Sequence, residues 1–175
     1  MNREDVVKKL EESLAAVTAQ FDAPPADLKK SYAPGKWTVR QVLAHLADCE
    51  LIGYWRFGRA VAEPDSTVEP FEQDEWAARM AYSERPLALD RDVFLSTRRL
   101  LIHLVKTLPE DRLKTESHHL EKGALDGYRW AALQAGHCEH HLGQMNAART
   151  GKPWVKPKTS QGGLYGAAGP EYSIP

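Results

Sequence analysis

The chain reads as an all-α protein: a four-helix bundle with a long crossover containing a short extra helix, followed by a Pro/Gly-rich C-terminal tail. Three observations predict this class. Apolar residues return every three and four positions in four separate stretches. No stretch sustains the period-two alternation of a strand. Nine of the 23 Gly and Pro residues, five Gly and four Pro, crowd into the last 26 positions, Thr150 to Pro175. Four amphipathic helices bury their stripes most simply against one another.

The first helix runs from Asn2 to Phe21, with Val6, Val7, Leu10, Leu14, Val17 and Phe21 along one face. Pro24 and Pro25 stop it, and the segment through Tyr32, Pro34 and Gly35 reads as a connecting loop. Thr38 and Gln41 have the spacing of a capping box and open the second helix, whose inner stripe is Val39, Val42, Leu43, Leu46, Cys49 and Gly53. Pro64, Pro70 and Pro86 then interrupt the chain, leaving a crossover with one short helix near Gln73 to Met80. Val93, Thr97, Leu100, Leu101, Leu104 and Leu108 carry a third long helix, ended by Pro109. Asp111 to Gly127 reads as a polar connection. The fourth long helix spans Tyr128 to Arg149 and stops at Gly151 and Pro153, the order expected past a C-terminus. The expected organisation is a helical bundle over residues 1–153 and an irregular tail over 154–175, packed on or beside it, with Trp154 and Tyr165 against the bundle end.

Composition narrows the function classes. With 175 residues and 42% hydrophobic content, one core suffices: a chain of this length buries roughly 70% of its extended surface. Two cysteines exclude a disulfide scaffold. A formal charge of -1, from 23 basic and 24 acidic side chains, gives no basic stripe for nucleic acid. The N-terminal run MNREDVVKKLEESL lacks the apolar region of a signal peptide, and no run approaches the ~18 apolar residues of a membrane span. The expected address is cytoplasmic.

The placement of the seven histidines carries the functional reading. At about 100° per residue, Trp130, Leu133, His137, His141, Gln144 and Ala148 fall within an arc of about 80° on the fourth helix, so two imidazoles one turn apart enter the bundle together. An unpaired buried polar group costs about 1–3 kcal/mol, so something must satisfy them. A divalent metal does so, because His at i and i+4 lets two nitrogens converge on one ion, and His45 on the facing helix can supply a third. A metal-free hydrogen-bond network is the alternative. Of the other candidates, His140 is a rival ligand at the stripe's edge. Cys49 is a fourth ligand or a buried hydrophobe. Asp48 either orients His45 or solvates the helix edge. Gln144 either hydrogen-bonds the bound water or substrate or packs in the bundle. Glu139 points about 160° from both His137 and His141 and cannot serve as the base of an HExxH site. Cys138 is a packing residue, and His103, His118 and His119 are surface residues.

The run Trp37-Thr38-Val39-Arg40-Gln41-Val42-Leu43-Ala44-His45-Leu46-Ala47-Asp48 and the run Gly136-His137-Cys138-Glu139-His140-His141-Leu142-Gly143-Gln144 resemble two segments of the DinB-like family, also called DinB/YfiT-like metalloenzymes. The first is the family's W-[ST]-x-x-[EQ]-x-x-x-H-[LI]-x-[DE], the second its H-x-x-H-H-x-G-Q. Arg149, Gly151 and the crossover residues Asp74 to Trp76 are also similar. The resemblance covers most of Asp5 to Pro153 and departs at Cys138 and Leu142, the latter often arginine in the family. It implies a four-helix bundle with an unusual crossover and a divalent metal held by His45, His137 and His141. Zinc or nickel is the usual metal, with iron or manganese as alternatives, and dimers are frequent. Members with assigned activities are largely thiol-dependent transferases, besides a mycothiol-dependent isomerase.

Three neutral imidazoles leave an ion its full charge and an open position, where water or a thiol becomes a nucleophile. The expected function is therefore a metal-dependent enzyme of thiol S-transferase type, acting on a small-molecule substrate with a low-molecular-weight thiol. A metal-dependent hydrolase is the runner-up, and a non-catalytic metal-binding or stress-related module the third reading.

Overall fold

The computed structural model describes residues 1–155. Four long helices dominate: α1 (Arg3–Phe21), α3 (Val39–Ala62), α5 (Leu87–Thr107) and α7 (Gly127–Thr150). Short α2 (Pro25–Leu28), α4 (Gln73–Arg79) and α6 (Glu110–Leu113) lie between them. Three of the four long helices start with a side chain on an orphan amide: Asn2 Oδ1 accepts from Asp5 N–H at 2.8 Å, Asp126 Oδ1 from Arg129 N–H at 2.7 Å, and Thr38 and Gln41 form the reciprocal capping box; α5 starts after Pro86 without one. Gly151, at φ 68°, ends α7 in the left-handed conformation that glycine adopts at least strain. α3 packs between α5 and α7, and α1 lies between the same two helices on the other side. The four-helix bundle with a short crossover helix, α4, is thus present; the expected tail over 154–175 falls outside the described residues beyond Val155.

Two features differ from the sequence expectation. The first is a small three-stranded sheet where none was expected. β1 (Thr67–Val68) pairs in parallel with β2 (Glu116–His119), which pairs antiparallel with β3 (Gly123–Asp126). The strands β2 and β3 and helix α6 occupy the segment read as a polar connection. Alternation was invisible there because the inward positions of β2 are polar. Ser117 is buried and accepts from Trp130 Nε1 at 2.9 Å, and His119 is buried with Nδ1 accepting from Glu121 N–H at 3.1 Å. His119 is therefore a core residue rather than a surface one, while His118 and His103 are exposed as expected.

The second difference is the inner face of α5. The leucine stripe placed Leu100 inward, yet Leu100 is 45% exposed and the buried face is Phe94, Arg98, Leu101 and Val105. The cause is Arg98, which is fully buried. Its Nε and Nη2 each donate to one carboxylate oxygen of Glu50 on α3 at 2.7 Å, Nη1 donates to Ser13 Oγ on α1 at 2.6 Å, and Nη2 reaches Cys138 Sγ on α7 at 3.2 Å. Burial works to lower the guanidinium pKa, but the Glu50 carboxylate outweighs it and raises the value above the ordinary one. A periodicity count treats Arg98 as solvent-facing; the ion pair turns the helix so that it faces the core.

Removing one partner strands the other charge in the core. Glu50→Ala is expected to lower stability by about 3–5 kcal/mol, and Glu50→Leu with Arg98→Met to recover most of that loss, as read by urea unfolding. A double variant no more stable than Glu50→Ala would show that the pair does more than neutralise itself.

Candidate metal centre

His45 comes from the second turn of α3, and His137 and His141 from successive turns in the middle of α7. All three were named from sequence, and the fold brings their rings together. His137 Nε2 stands 3.2 Å from His45 Nε2 and 3.0 Å from His141 Nε2, and the three donor atoms all lie within 4.8 Å of one another. His45 and His141 are fully buried, while His137 keeps partial access.

The chemistry of these contacts tests whether the residues fit an ion. Burial, reinforced by the neighbouring imidazoles, holds the pKa of all three well below the ordinary histidine value, so the rings are neutral. His141 Nδ1 donates to Gln144 Oε1 at 2.7 Å, which leaves the lone pair on Nε2. A single proton at His137 Nε2 makes one hydrogen bond, so one of its two close nitrogen contacts is left without a shared proton. A cation between the three nitrogens would satisfy all of them. The spacing agrees: two nitrogens about 2.0–2.1 Å from one ion stand about 2.9 Å apart at a right angle and about 3.3 Å at a tetrahedral one. The donor set fits a divalent metal.

The surroundings sort the other candidates. Gln144 Oε1 accepts from the outer nitrogen of His141 and so fixes that ring. Asp48 takes neither role foreseen for it. Arg85 grips it with bonds of 2.9 and 3.0 Å, also donates to the Ala44 carbonyl at 3.2 Å, and so clamps the end of the crossover onto α3 beside His45. Cys49 Sγ lies 3.4 Å from His45 Nε2, outside the three-nitrogen cluster, and burial raises its thiol pKa well above the ordinary value. Cys138 packs against Arg98, and Glu139 is exposed. His140 is not in the cluster; its ring stands edge-on to His141 at 5.0 Å and to Trp154 at 4.9 Å. Trp154 also packs on Tyr32 and over Gly143, where an added Cβ would meet its Nε1 at 2.9 Å. It packs against the bundle as expected; Tyr165 lies outside the described residues.

Two wall residues were missed as such. The Trp37 ring lies 4.8 Å from that of His45, and the fully buried Tyr82 ring 6.5 Å from it. Trp37 opens the first motif, which was a usable signal. Tyr82 sits in a proline-rich crossover and follows Ala81, at φ 52°, a conformation with no sequence signature here.

The arrangement defines a helical-bundle protein with a three-imidazole centre, and comparison with known proteins agrees. The pattern of the DinB superfamily matches residues 4–145, and the chain belongs to that superfamily. A protein of Oceanobacillus iheyensis, provisionally named a metal-dependent hydrolase, is 28% identical over 134 residues, 77% of each chain. One of Halalkalibacterium halodurans with the same provisional name is 29% identical over 142 residues, 81% of each chain. YfiT from Bacillus subtilis, described as having an unusual four-helix bundle topology, superposes with a TM-score of 0.77 at 23% identity, covering 86% of this chain and 88% of that one. A mycothiol-dependent maleylpyruvate isomerase superposes with a TM-score of 0.67 at 15% identity, covering 83% of this chain and 61% of that one. Among the described residues, no helix is long and apolar enough to cross a membrane.

Two outcomes follow from the geometry. Because the folded-state pKa values of the three histidines are depressed, the unfolded chain binds more protons below about pH 6.5, and stability present above that pH is lost as pH falls. Urea unfolding of the chelator-treated protein at pH 7.5, 6.5 and 5.5 should show this loss, limited to about 4 kcal/mol per pH unit for three rings, and His141→Gln should flatten it. Gln144→Leu removes the acceptor that fixes His141 and should weaken zinc affinity about 10–100-fold in chelator competition, with helix content unchanged.

Proposed function

We propose that His45, His137 and His141 hold a divalent metal and that the protein is a metal-dependent enzyme of hydrolase type. The observation that carries the reading is the convergence of three neutral, buried Nε2 atoms at 3.0 and 3.2 Å. When bound by three imidazoles, such an ion retains its double charge and an open position, and supplies acidification of a water or thiol placed there.

The chain's own residues supply positioning. Gln144 holds His141 in the tautomer that offers Nε2, Trp37 and Tyr82 wall His45 from solvent, and the Arg85 clamp on Asp48 and Ala44 keeps that wall in place. Among the described residues no carboxylate joins the cluster, so none of them stands there as a general base. The named relatives favour water as the nucleophile. The thiol S-transferase reading is kept as the second one, because the mycothiol-dependent isomerase shares the fold. Imidazole ligands suit zinc, nickel, copper and iron alike; the resemblance to the DinB-like family favours zinc or nickel.

Elemental analysis of protein purified without a histidine tag should find about one divalent ion per chain, and His137→Ala should lose it while keeping its helix content. The loaded protein is then assayed against ester, amide and phosphoester panels, and against an electrophile with an added thiol. Ion-dependent hydrolysis lost in His137→Ala supports the first reading, and ion-dependent thiol transfer alone supports the second. Metal that stabilises the fold without either chemistry overturns both in favour of a non-catalytic module.

A further inference from the structure

Glycine inside a helix is unfavourable relative to alanine, so a glycine there should have a neighbour that requires it. Gly53, Gly127 and Gly143 each have one: an added Cβ would meet Gln134, the Leu113 carbonyl or Trp154 at 3.1 Å or less. Gly58, one turn before the end of α3, does not. Nothing lies within 4 Å of a Cβ at Gly58, and its φ is outside the left-handed region. The open space over it belongs to a trough of about 520 Å³.

The buried Phe57 and Val61 of α3 line the trough with the half-buried Leu104 and Leu108 of α5, and Pro109 with α6 adds a third side. From Tyr54 to Ala62 it extends about 12 Å along α3. Concavities of about 300–1,000 Å³ with apolar walls and a few polar groups are those that take small molecules. A protein partner, which buries about 800 Å² on each side, would need more than two turns of one helix, and the exposed Leu51 and Leu100 lie outside the lining. The trough is separate from the three histidines, since Gly58 follows His45 by thirteen residues, about 20 Å along α3. Two of its lining residues, Tyr54 and Arg112, have polar side chains without a hydrogen-bond or ion-pair partner among the described residues. The charges nearby are engaged elsewhere: Arg59 lies 5.6 Å from the Trp55 ring and pairs with Glu63, and Glu110 pairs with Arg3 and Lys114. Arg112 is exposed, so it demands no partner; it sets the sign of the polar group that the trough would accept.

We propose that the trough is a second binding site, independent of the three-histidine centre, for a free amphipathic carboxylate: an acyl chain lies over Gly58 between α3 and α5, and its carboxylate head meets Arg112. The missing side chain at position 58 then has a reason, because it lets the chain lie against the helix backbone. A guanidinium holds a carboxylate through two parallel hydrogen bonds, which a lone ammonium cannot do. Methylenes moved out of water onto Phe57, Val61 and Leu104 supply the affinity.

Full-length protein, chelator-treated and separately loaded with one equivalent of zinc, is titrated with hexanoate, octanoate and decanoate below their micelle concentrations, while nitrogen–proton spectra follow the Gly58 amide and the Arg112 Nε–H. Saturable shifts of both signals, alike in the two forms, are expected, with affinity rising about two- to fourfold per methylene. Gly58→Leu should raise the melting temperature by about 2–4 °C and weaken decanoate binding about tenfold or more. Arg112→Glu, an exposed change that decides the matter should Gly58→Leu misfold, should weaken decanoate about tenfold and turn the preference to decyltrimethylammonium. Absence of saturation, decanoate binding in folded Gly58→Leu or in Arg112→Glu within about threefold of the parent, or equal affinity of the parent for decanoate and decyltrimethylammonium would each overturn the site. So would Gly58 shifts that follow protein concentration together with a dimer in sedimentation, which would assign the trough to a second copy, or shifts seen only with anionic phospholipid vesicles, which would assign it to a membrane surface.

Discussion

The buried Arg98–Glu50 pair is the constraint on which the remaining geometry depends. Its guanidinium touches all four long helices: Glu50 on α3, Ser13 on α1, and Cys138 and the Gln134 carbonyl on α7, from its own place on α5. Apolar stripes tolerate small slides and rotations because their contacts are non-directional. A bidentate charge pair at 2.7 Å does not, since a slide of one residue would leave two charges desolvated and unpaired. The pair therefore selects one register of α3 against α7 from the several that hydrophobic packing alone would permit.

That register is what brings the three histidines together. Glu50 lies five residues after His45, and the α7 groups that Arg98 touches, Gln134 and Cys138, flank His137. Gln134 adds a second lock: its side chain donates to the Cys49 carbonyl at 3.0 Å and fills the space where a Cβ on residue 53 would stand, so Gly53 is required for the close approach of the two helices. With α3 and α7 held this way, the three histidine side chains start from backbone positions that let their Nε2 atoms meet.

The sequence made the three candidate ligands legible because each sits on a long helix, where a period of 3.6 residues converts position into direction. That turned His137 and His141 inward with His45 on a facing helix, and the two motifs shared with the DinB-like family singled these three out from His140 and Cys49. What periodicity could not resolve was polar residues facing inward. Arg98 and Glu50 carry no apolar signal and went unnamed, Ser117 and His119 hid the alternation of β2, and the leucine count of α5 placed Leu100 on the wrong face because it ignored a charge that had a partner. Gln144 was placed on the inner stripe, but its partner His141, like the Arg85 that Asp48 binds instead of either expected role, could not be chosen without the tertiary structure. Tyr82 was invisible for a different reason: its position depends on the left-handed turn at Ala81, which local composition does not demand.

The division between legible and illegible residues has a mechanical counterpart. The three candidate ligands and Gln144 stand on two helices locked by buried polar contacts, so the centre is rigid and its geometry is insulated from changes elsewhere. Its walls come from segments of irregular backbone: the crossover, which brings Tyr82 and the Arg85 clamp to one side of α3, and the short sheet, which brings the β2–β3 turn to the other. Loops of this kind accept substitution without disturbing the helical frame. The ligands can therefore remain while the shape and charge of the surrounding space change. The space around the three histidines is thus shaped by the crossover and the hairpin, while the histidines themselves belong to α3 and α7.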